Sequence, residues 1–155
     1  MTCLDDAVNY LLDLHDLQAA LAGMRANLRP GGLLVFDVNT LGTYRAVFCE
    51  GISWGDGEET YASVGERRPV EPGALFATTL QAWRGNTLLA ESRHVQRHHG
   101  AGELERALHD AGLEPLELYG SAADGSPERP PDEQLHVKTV VVARRPPAHR
   151  SGERR

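Results

Sequence analysis

The segment DLHDLQAALAGMRANL sets Leu14, Leu17, Leu21, Met24 and Leu28 at alternating intervals of three and four. At 3.6 residues per turn these five positions make one stripe, which predicts an amphipathic helix with a single buried face. Asp13 stands at the N-cap, and Asp16 brings an acid to the positive end of the helix dipole. Pro30 forbids continuation, and Gly31 supplies a left-handed C-terminal turn. Leu33 to Val38 is then apolar almost throughout, which predicts a strand in a parallel sheet covered on both faces. Before the helix, Met1 to Leu4 reads as the end of another strand.

From Tyr44 to His99 the spacing changes to that of an antiparallel sheet. The stretch ALFATTLQAWRGNTLLAESRHVQRH predicts a long hairpin with Gly85-Asn86 as its turn, placing Trp83 opposite Leu88 and Phe76 opposite Val95. Thr60 to Val64 is expected to add a third strand. Helical spacing returns in ELERALHDAGLE, with Leu104, Ala107, Leu108 and Ala111 inward and Gly112 ending the helix, followed by a strand from Leu113 to Tyr119. The β-branched run HVKTVVVARR predicts a last strand. The intervening GSAADGSPERPPDEQ is too rich in Gly, Ser and Pro for a crossover helix, so this strand is expected to return antiparallel beside its predecessor. The organisation is thus α/β over residues 1–43 and 100–145, an antiparallel insertion over 44–99, and a polar tail over 146–155 expected to be disordered.

The 155 residues make one domain's worth of chain, and the net charge of −6 argues against nucleic acid as a partner. No apolar run approaches the ~18 residues of a membrane span. The N-terminal residues lack an export pattern, and Cys3 and Cys49 form neither a metal spacing nor a disulfide framework, so a reducing cytoplasm is the expectation. Pro30-Gly31-Gly32 invites comparison with a nucleotide loop. Such a loop needs strand, glycines, then helix, whereas here the glycines end a helix and open a strand. Their role is in the fold.

MTCLDDAVNYLL, MRANLRPGGLLVFDVNT, and GELERALHDAGLE with HVKTVVVARR together resemble the second half of the class I S-adenosylmethionine-dependent methyltransferases. They are similar, in order, to the fourth strand with its acidic exit, the next helix with the fifth strand, and the last helix with the closing hairpin. The resemblance implies an α/β fold: a partial Rossmann-like sheet with helices, plus an inserted antiparallel β lid over the substrate. It implies S-adenosylmethionine as cofactor and a small-molecule methyl acceptor bearing an amine or hydroxyl. The insertion is expected to be a substrate lid or a dimer surface, and the unprotected strand edge at Met1 to Leu4 adds the expectation of a homodimer. A family member begins with a strand, an acid and a G-x-G turn; Gly55-Asp56-Gly57 has the letters but follows Trp54 in a polar loop. The chain is therefore expected to correspond to the carboxyl-terminal portion and to bind the cofactor poorly by itself. A noncatalytic interaction module is the alternative.

Asp5 and Asp6 follow the first strand, at the edge where open α/β sheets place ligands. The resemblance puts Cys3, Leu4 and Asp5 beside the cofactor, and Asp6, Asn9 and Tyr10 beside the acceptor. Solvated turn acids, and a core role for Tyr10, are the plainer alternatives. Asp37, Asn39 and Thr40 leave the next strand on the same edge, so two strand exits aim carboxylates at one crevice, suited to a cationic acceptor. His94, His98 and His99 cluster with Arg93 and Arg97. His98 is the candidate base, against the plainer reading of a polar strand surface. His94 and His98 are roughly 13 Å apart on an extended strand, too far to share an ion, and no metal is expected.

Overall fold

The structure is a computed structural model and describes residues 1–147; most of the tail expected over 146–155 lies outside the described residues. Strand β1 (Thr2–Cys3) runs into helix α1 (Leu14–Ala26) and then β2 (Leu33–Asn39), with β1 parallel to β2. The Asp13 carboxylate accepts the Asp16 N–H at 2.8 Å, as an N-cap does. Leu17, Leu21 and Leu28 are buried and Met24 half-buried, whereas Leu14, in the first turn, is exposed. Gly31 takes the left-handed conformation, φ 79°. Arg145 closes the same corner by donating from Nη1 to the carbonyls of Arg25 and Leu28 at 3.1 and 2.6 Å, satisfying groups that the end of α1 leaves open.

After β2, helix rather than sheet continues the chain. Thr40 caps a helical turn (Leu41–Thr43) that passes directly into a π-helical segment, Tyr44–Glu50. The antiparallel insertion therefore begins later than its sequence indicates, because Tyr44 and Phe48, spaced for one helix face, bury themselves against Phe76. Strands β3 (Ile52–Gly55), β4 (Glu59–Gly65), β5 (Leu75–Arg84) and β6 (Thr87–Arg97) then form a four-stranded meander. Gly55-Asp56-Gly57 is the turn between β3 and β4, with no helix after it.

The hairpin departs from its expected register. Trp83 does face Leu88, but the next pair is Ala82 with Ala90, so Leu89 is an extra residue in a bulge. Phe76 consequently pairs with Gln96 instead of Val95, and Thr78 with His94.

Helix α2 (Ala101–Asp110) and β7 (Glu114–Ser121) restore the α/β pattern, and Gly112 turns the corner at φ 71°. A short β8 (Pro127–Glu128) pairs back on β7, and β9 (Lys138–Arg144) lies antiparallel between β2 and β7. The sheet order is β1-β2-β9-β7-β8. Leu34, Phe36 and Val38 of β2 and Val141 and Ala143 of β9 form one core with Leu17, Leu21, Leu104 and Leu108 of the two helices. On the opposite face Val35, Val140 and Val142 are only half-buried. Within the described residues the sheet is thus helix-covered on one face, not on both as its apolar run implies. No helix among the described residues is long and apolar enough to cross a membrane.

Candidate functional site

The first exit loop is held in an unusual conformation. Asp5 and Asp6 both have positive φ, 65° and 50°, which non-glycine residues adopt rarely and at some cost. Their backbone N–H groups converge on the Asp37 carboxylate, at 3.2 and 2.7 Å, so an acid leaving β2 shapes the loop leaving β1. Lys138 completes the arrangement, with Nζ 3.4 Å from Asp5, 3.2 Å from Asp6 and 3.3 Å from Asp37. Burial would lower the Lys138 pKa, but Asp37 and Asp6 outweigh it and raise the value above that of a free lysine. One of the three negative charges at the two strand exits is therefore balanced internally by Lys138. Asp37 is committed to this structural role and does not border the pocket described below.

Asn9 is fully buried and works as a clamp. Its Nδ2 donates to the Arg97 carbonyl at 2.9 Å, and its Oδ1 accepts the Asn39 N–H at 2.9 Å. Asn39 in turn donates to Gln96 Oε1 at 2.9 Å, and Gln96 donates to the Asp6 carboxylate. A polar chain thus stitches β6 of the insertion to both strand exits. Thr40 lies apart from the pocket; its hydroxyl donates to the His136 carbonyl at 2.5 Å and accepts from the Thr43 N–H at 3.3 Å.

Between the exits and the meander lies a cavity of about 240 Å³. Asp6, Tyr10 and Asn39 form one side and Val47 and Phe48 of the π-helical segment another. Trp54, Leu80, His94 and Gln96 approach from the meander, which covers the cavity as a lid does. Val47, Phe48, Trp54 and Leu80 give the cavity an apolar wall, against which the polar groups of Asp6, Tyr10, Asn39, His94 and Gln96 converge, as in a small-molecule pocket. Three of the six residues expected at the acceptor, Asp6, Tyr10 and Asn39, border it; Asn9, Asp37 and Thr40 support it from outside.

Tyr10, itself 45% exposed, and His94 form a hydrogen-bonded pair at the edge of the cavity. The Tyr10 hydroxyl lies 2.7 Å from His94 Nδ1, and His94 Nε2 lies 2.7 Å from the Ser92 hydroxyl. Ser92 is exposed, so the chain runs from cavity to solvent. His98, the candidate base from sequence, is placed elsewhere. It is buried against Tyr44, its Nδ1 accepts the Gly73 N–H at 3.2 Å, and its Nε2 donates to Glu133 at 3.0 Å. Both nitrogens are occupied, leaving no free base.

The histidine cluster is also not a polar strand surface. His99 is fully buried, with Nε2 3.0 Å from the Leu11 carbonyl and Nδ1 beside Arg97 and Glu103. Burial, more than any neighbouring charge, holds its pKa below the ordinary histidine value. Gln96 and His94 could have been found in the sequence only by anticipating the bulge at Leu89.

Cys3, Leu4 and Asp5 lie on the outer side of the first exit. Leu4 is 54% exposed, and the Asp5 side chain is almost wholly in water. Burial, then Asp37, raises the pKa of the Cys3 thiol, so it stays protonated. These three residues make an open wall, and the sequence supplies no strand-glycine-helix cradle opposite it. The residues present do not fit S-adenosylmethionine as a complete site.

No family model matches the chain, and no curated protein matches it either. Solved structures do. A S-adenosylmethionine-dependent methyltransferase from Clostridium acetobutylicum superposes with a TM-score of 0.72 at 18% identity, covering 94% of this chain and 57% of that one. The CcbJ methyltransferase from Streptomyces caelestis gives 0.68 at 16% identity, covering 93% and 59%. An amino pentose methyltransferase from Micromonospora echinaspora involved in calicheamicin biosynthesis gives 0.56 at 22% identity, covering 93% and 56%. The fold is that of the S-adenosylmethionine-dependent methyltransferases. The chain spans less than two thirds of the length of these structures.

Proposed function

We propose that this chain carries the acceptor side of an S-adenosylmethionine-dependent methyltransferase acting on a small molecule with an amine or hydroxyl acceptor. The observation that supports this best is the position of the cavity. It lies at the exits of two adjacent parallel strands, where α/β sheets bind ligands, under an antiparallel cover. Asp6 is the carboxylate bordering it and would attract a cationic acceptor. In the complete site S-adenosylmethionine would supply an electrophilic methyl group, and an acceptor would need a free lone pair to receive it. A protonated amine or a hydroxyl must therefore lose a proton. In this reading Tyr10 and His94 take that proton and pass it to Ser92 at the surface, while Trp54, Leu80 and Phe48 keep water from the acceptor.

The absence of a glycine cradle favours a second reading, a noncatalytic interaction module, and one experiment separates the two. S-adenosylmethionine is titrated calorimetrically into the chain itself and into the chain joined to the amino-terminal portion of a structural relative. The chain itself is expected to show no dissociation constant in the low micromolar range. The joined protein is expected to bind the cofactor and to transfer labelled methyl to small amines or alcohols. Cofactor binding without transfer to any member of a broad acceptor panel would leave the interaction module as the reading.

A further inference from the structure

On the far side of the π-helical segment from the acceptor cavity lies a second, more open cleft of about 540 Å³. Val47 and Phe48 face the first cavity, whereas Arg45, Cys49 and Glu50 face this one. Arg67, Arg68 and Val70 form its other wall, from the loop that follows β4. Three exposed arginines and one exposed glutamate, Glu50, thus border one concavity in a chain whose net charge is −6. Among the described residues none of the three has a carboxylate within ion-pair distance, although Glu50 shares the cleft.

The geometry also fixes the cleft walls relative to each other. The Glu66 N–H donates to the Phe48 carbonyl at 2.9 Å, and the Ser63 hydroxyl to the Val47 carbonyl at 2.6 Å. Gly65 permits this approach, since a Cβ there would lie 2.6 Å from the Phe48 carbonyl oxygen. Two of the arginines are oriented individually. Arg68 sits over the Phe76 ring at 5.5 Å, and Arg45 Nη1 donates to Gln134 Oε1 at 2.8 Å. Helix C-termini attract cations in general, and the end of the π-helical segment is nearby. That effect does not account for Arg45, which lies in the first turn of the segment, whose last turn holds no basic side chain. Nor does it account for Arg67 and Arg68, which come from the loop after β4.

We propose that this cleft is a binding site for a phosphate-type oxyanion. Guanidinium groups match such anions with paired N–H donors. The cleft volume lies within the usual range of small-molecule sites, which is larger than one phosphate needs. The oxyanion is therefore expected to be a diphosphate or a phosphoryl group on a larger molecule, more than free inorganic phosphate. Because the cleft and the acceptor cavity share the π-helical segment as a wall, a ligand at one would also steady the other.

The test is titration of the purified chain with inorganic phosphate, pyrophosphate and a nucleoside diphosphate, followed by calorimetry and by backbone amide NMR shifts. Saturable binding is expected, with pyrophosphate or the nucleotide at least ten-fold tighter than phosphate and shifts centred on residues 45–50 and 65–70. The double variant Arg67→Gln/Arg68→Gln should weaken binding at least ten-fold. Arg93→Gln, which alters an exposed arginine paired with Glu66 outside the cleft, should leave it unchanged. Circular dichroism melts of both variants verify that the fold persists. Absence of saturable binding, shifts elsewhere, or equal effects of the two variants would overturn the proposal. Phosphate binding as tightly as the diphosphates would overturn its assignment to a larger ligand.

Discussion

Lys138 Nζ lies 3.3 Å from Asp37 Oδ2, across the junction of β9 and β2, and this pair organises the strand exits around it. In the antiparallel register Asp37 is opposite Val140 and Asn39 opposite Lys138, so both charges project from the same sheet face, diagonally related. Asp37 then has oxygens to spare for the N–H groups of Asp5 and Asp6. The single lysine of the chain sits where a cation is needed to gather three carboxylates.

Replacing Lys138 with Met should cost about 2 kcal/mol of stability, since it leaves partly buried carboxylates without their counter-charge. The double variant Lys138→Met/Asp37→Asn should lose less than the sum of the single variants in urea unfolding. The raised pKa also fixes a sign. A lysine whose folded value exceeds its unfolded value contributes stability that is complete below about pH 10 and lost as pH rises through the folded value. The wild-type chain should therefore lose stability at alkaline pH more steeply than Lys138→Met; parallel alkaline profiles would remove the lysine from this role.

His99 gives the opposite dependence. Its folded pKa is depressed, chiefly by burial, so its contribution is present above about pH 6.5 and is lost as pH falls through the folded value. Glu103 adds to the loss at lower pH. Burial alone would raise its pKa, but the hydrogen bonds from Arg97 and His99 together hold it below the ordinary glutamate value. Thermal midpoints should fall between pH 7 and pH 5 in the wild-type chain, and less in His99→Gln. A midpoint that stays flat across this interval would contradict the assignment.

Asp6 and Asp37 should separate in their effects once a cofactor site is present. Asp6 borders the cavity, so Asp6→Asn should raise the Michaelis constant for an amine acceptor about ten-fold with little change in that for S-adenosylmethionine. Asp37→Asn keeps one side-chain oxygen, leaves one of the two backbone N–H groups without its acceptor, and should instead lower unfolding stability by about 1–2 kcal/mol. Steady-state kinetics alongside denaturant melts distinguishes the two. Equal kinetic effects would place both acids at the acceptor.

The α/β portion was legible because its signals are local. Helix α1 shows its stripe, its Asp13 cap and its Pro30-Gly31 stop within the nineteen residues from Asp13 to Gly31, and α2 ends at Gly112 for the same backbone reason. The helical stretch after Thr40 was less visible. Tyr44 and Phe48 are four residues apart but lie among small and polar neighbours, and their aromatic partner, Phe76, is distant in sequence. The alternation of apolar residues on β2 and β9 likewise became a one-sided core only when α1 and α2 packed together over the same face.

The sequence by itself determined where much of the backbone must turn, which residues begin and end α1 and end α2, and that two strand exits bring acids to one edge. It did so because capping, proline and glycine chemistry, and periodic apolar spacing all act within a few residues. Tertiary structure decided what those acids do. Asp37 became a support because Lys138, about a hundred residues later, reached it across the sheet. His94 and Gln96 entered the cavity because the extra residue Leu89 shifts β6 by one position against β5, whereas His98 lies beyond the end of β6, held by Gly73 and Glu133. Side chains alternate faces along a strand, so that single shift decides which of them line the cavity.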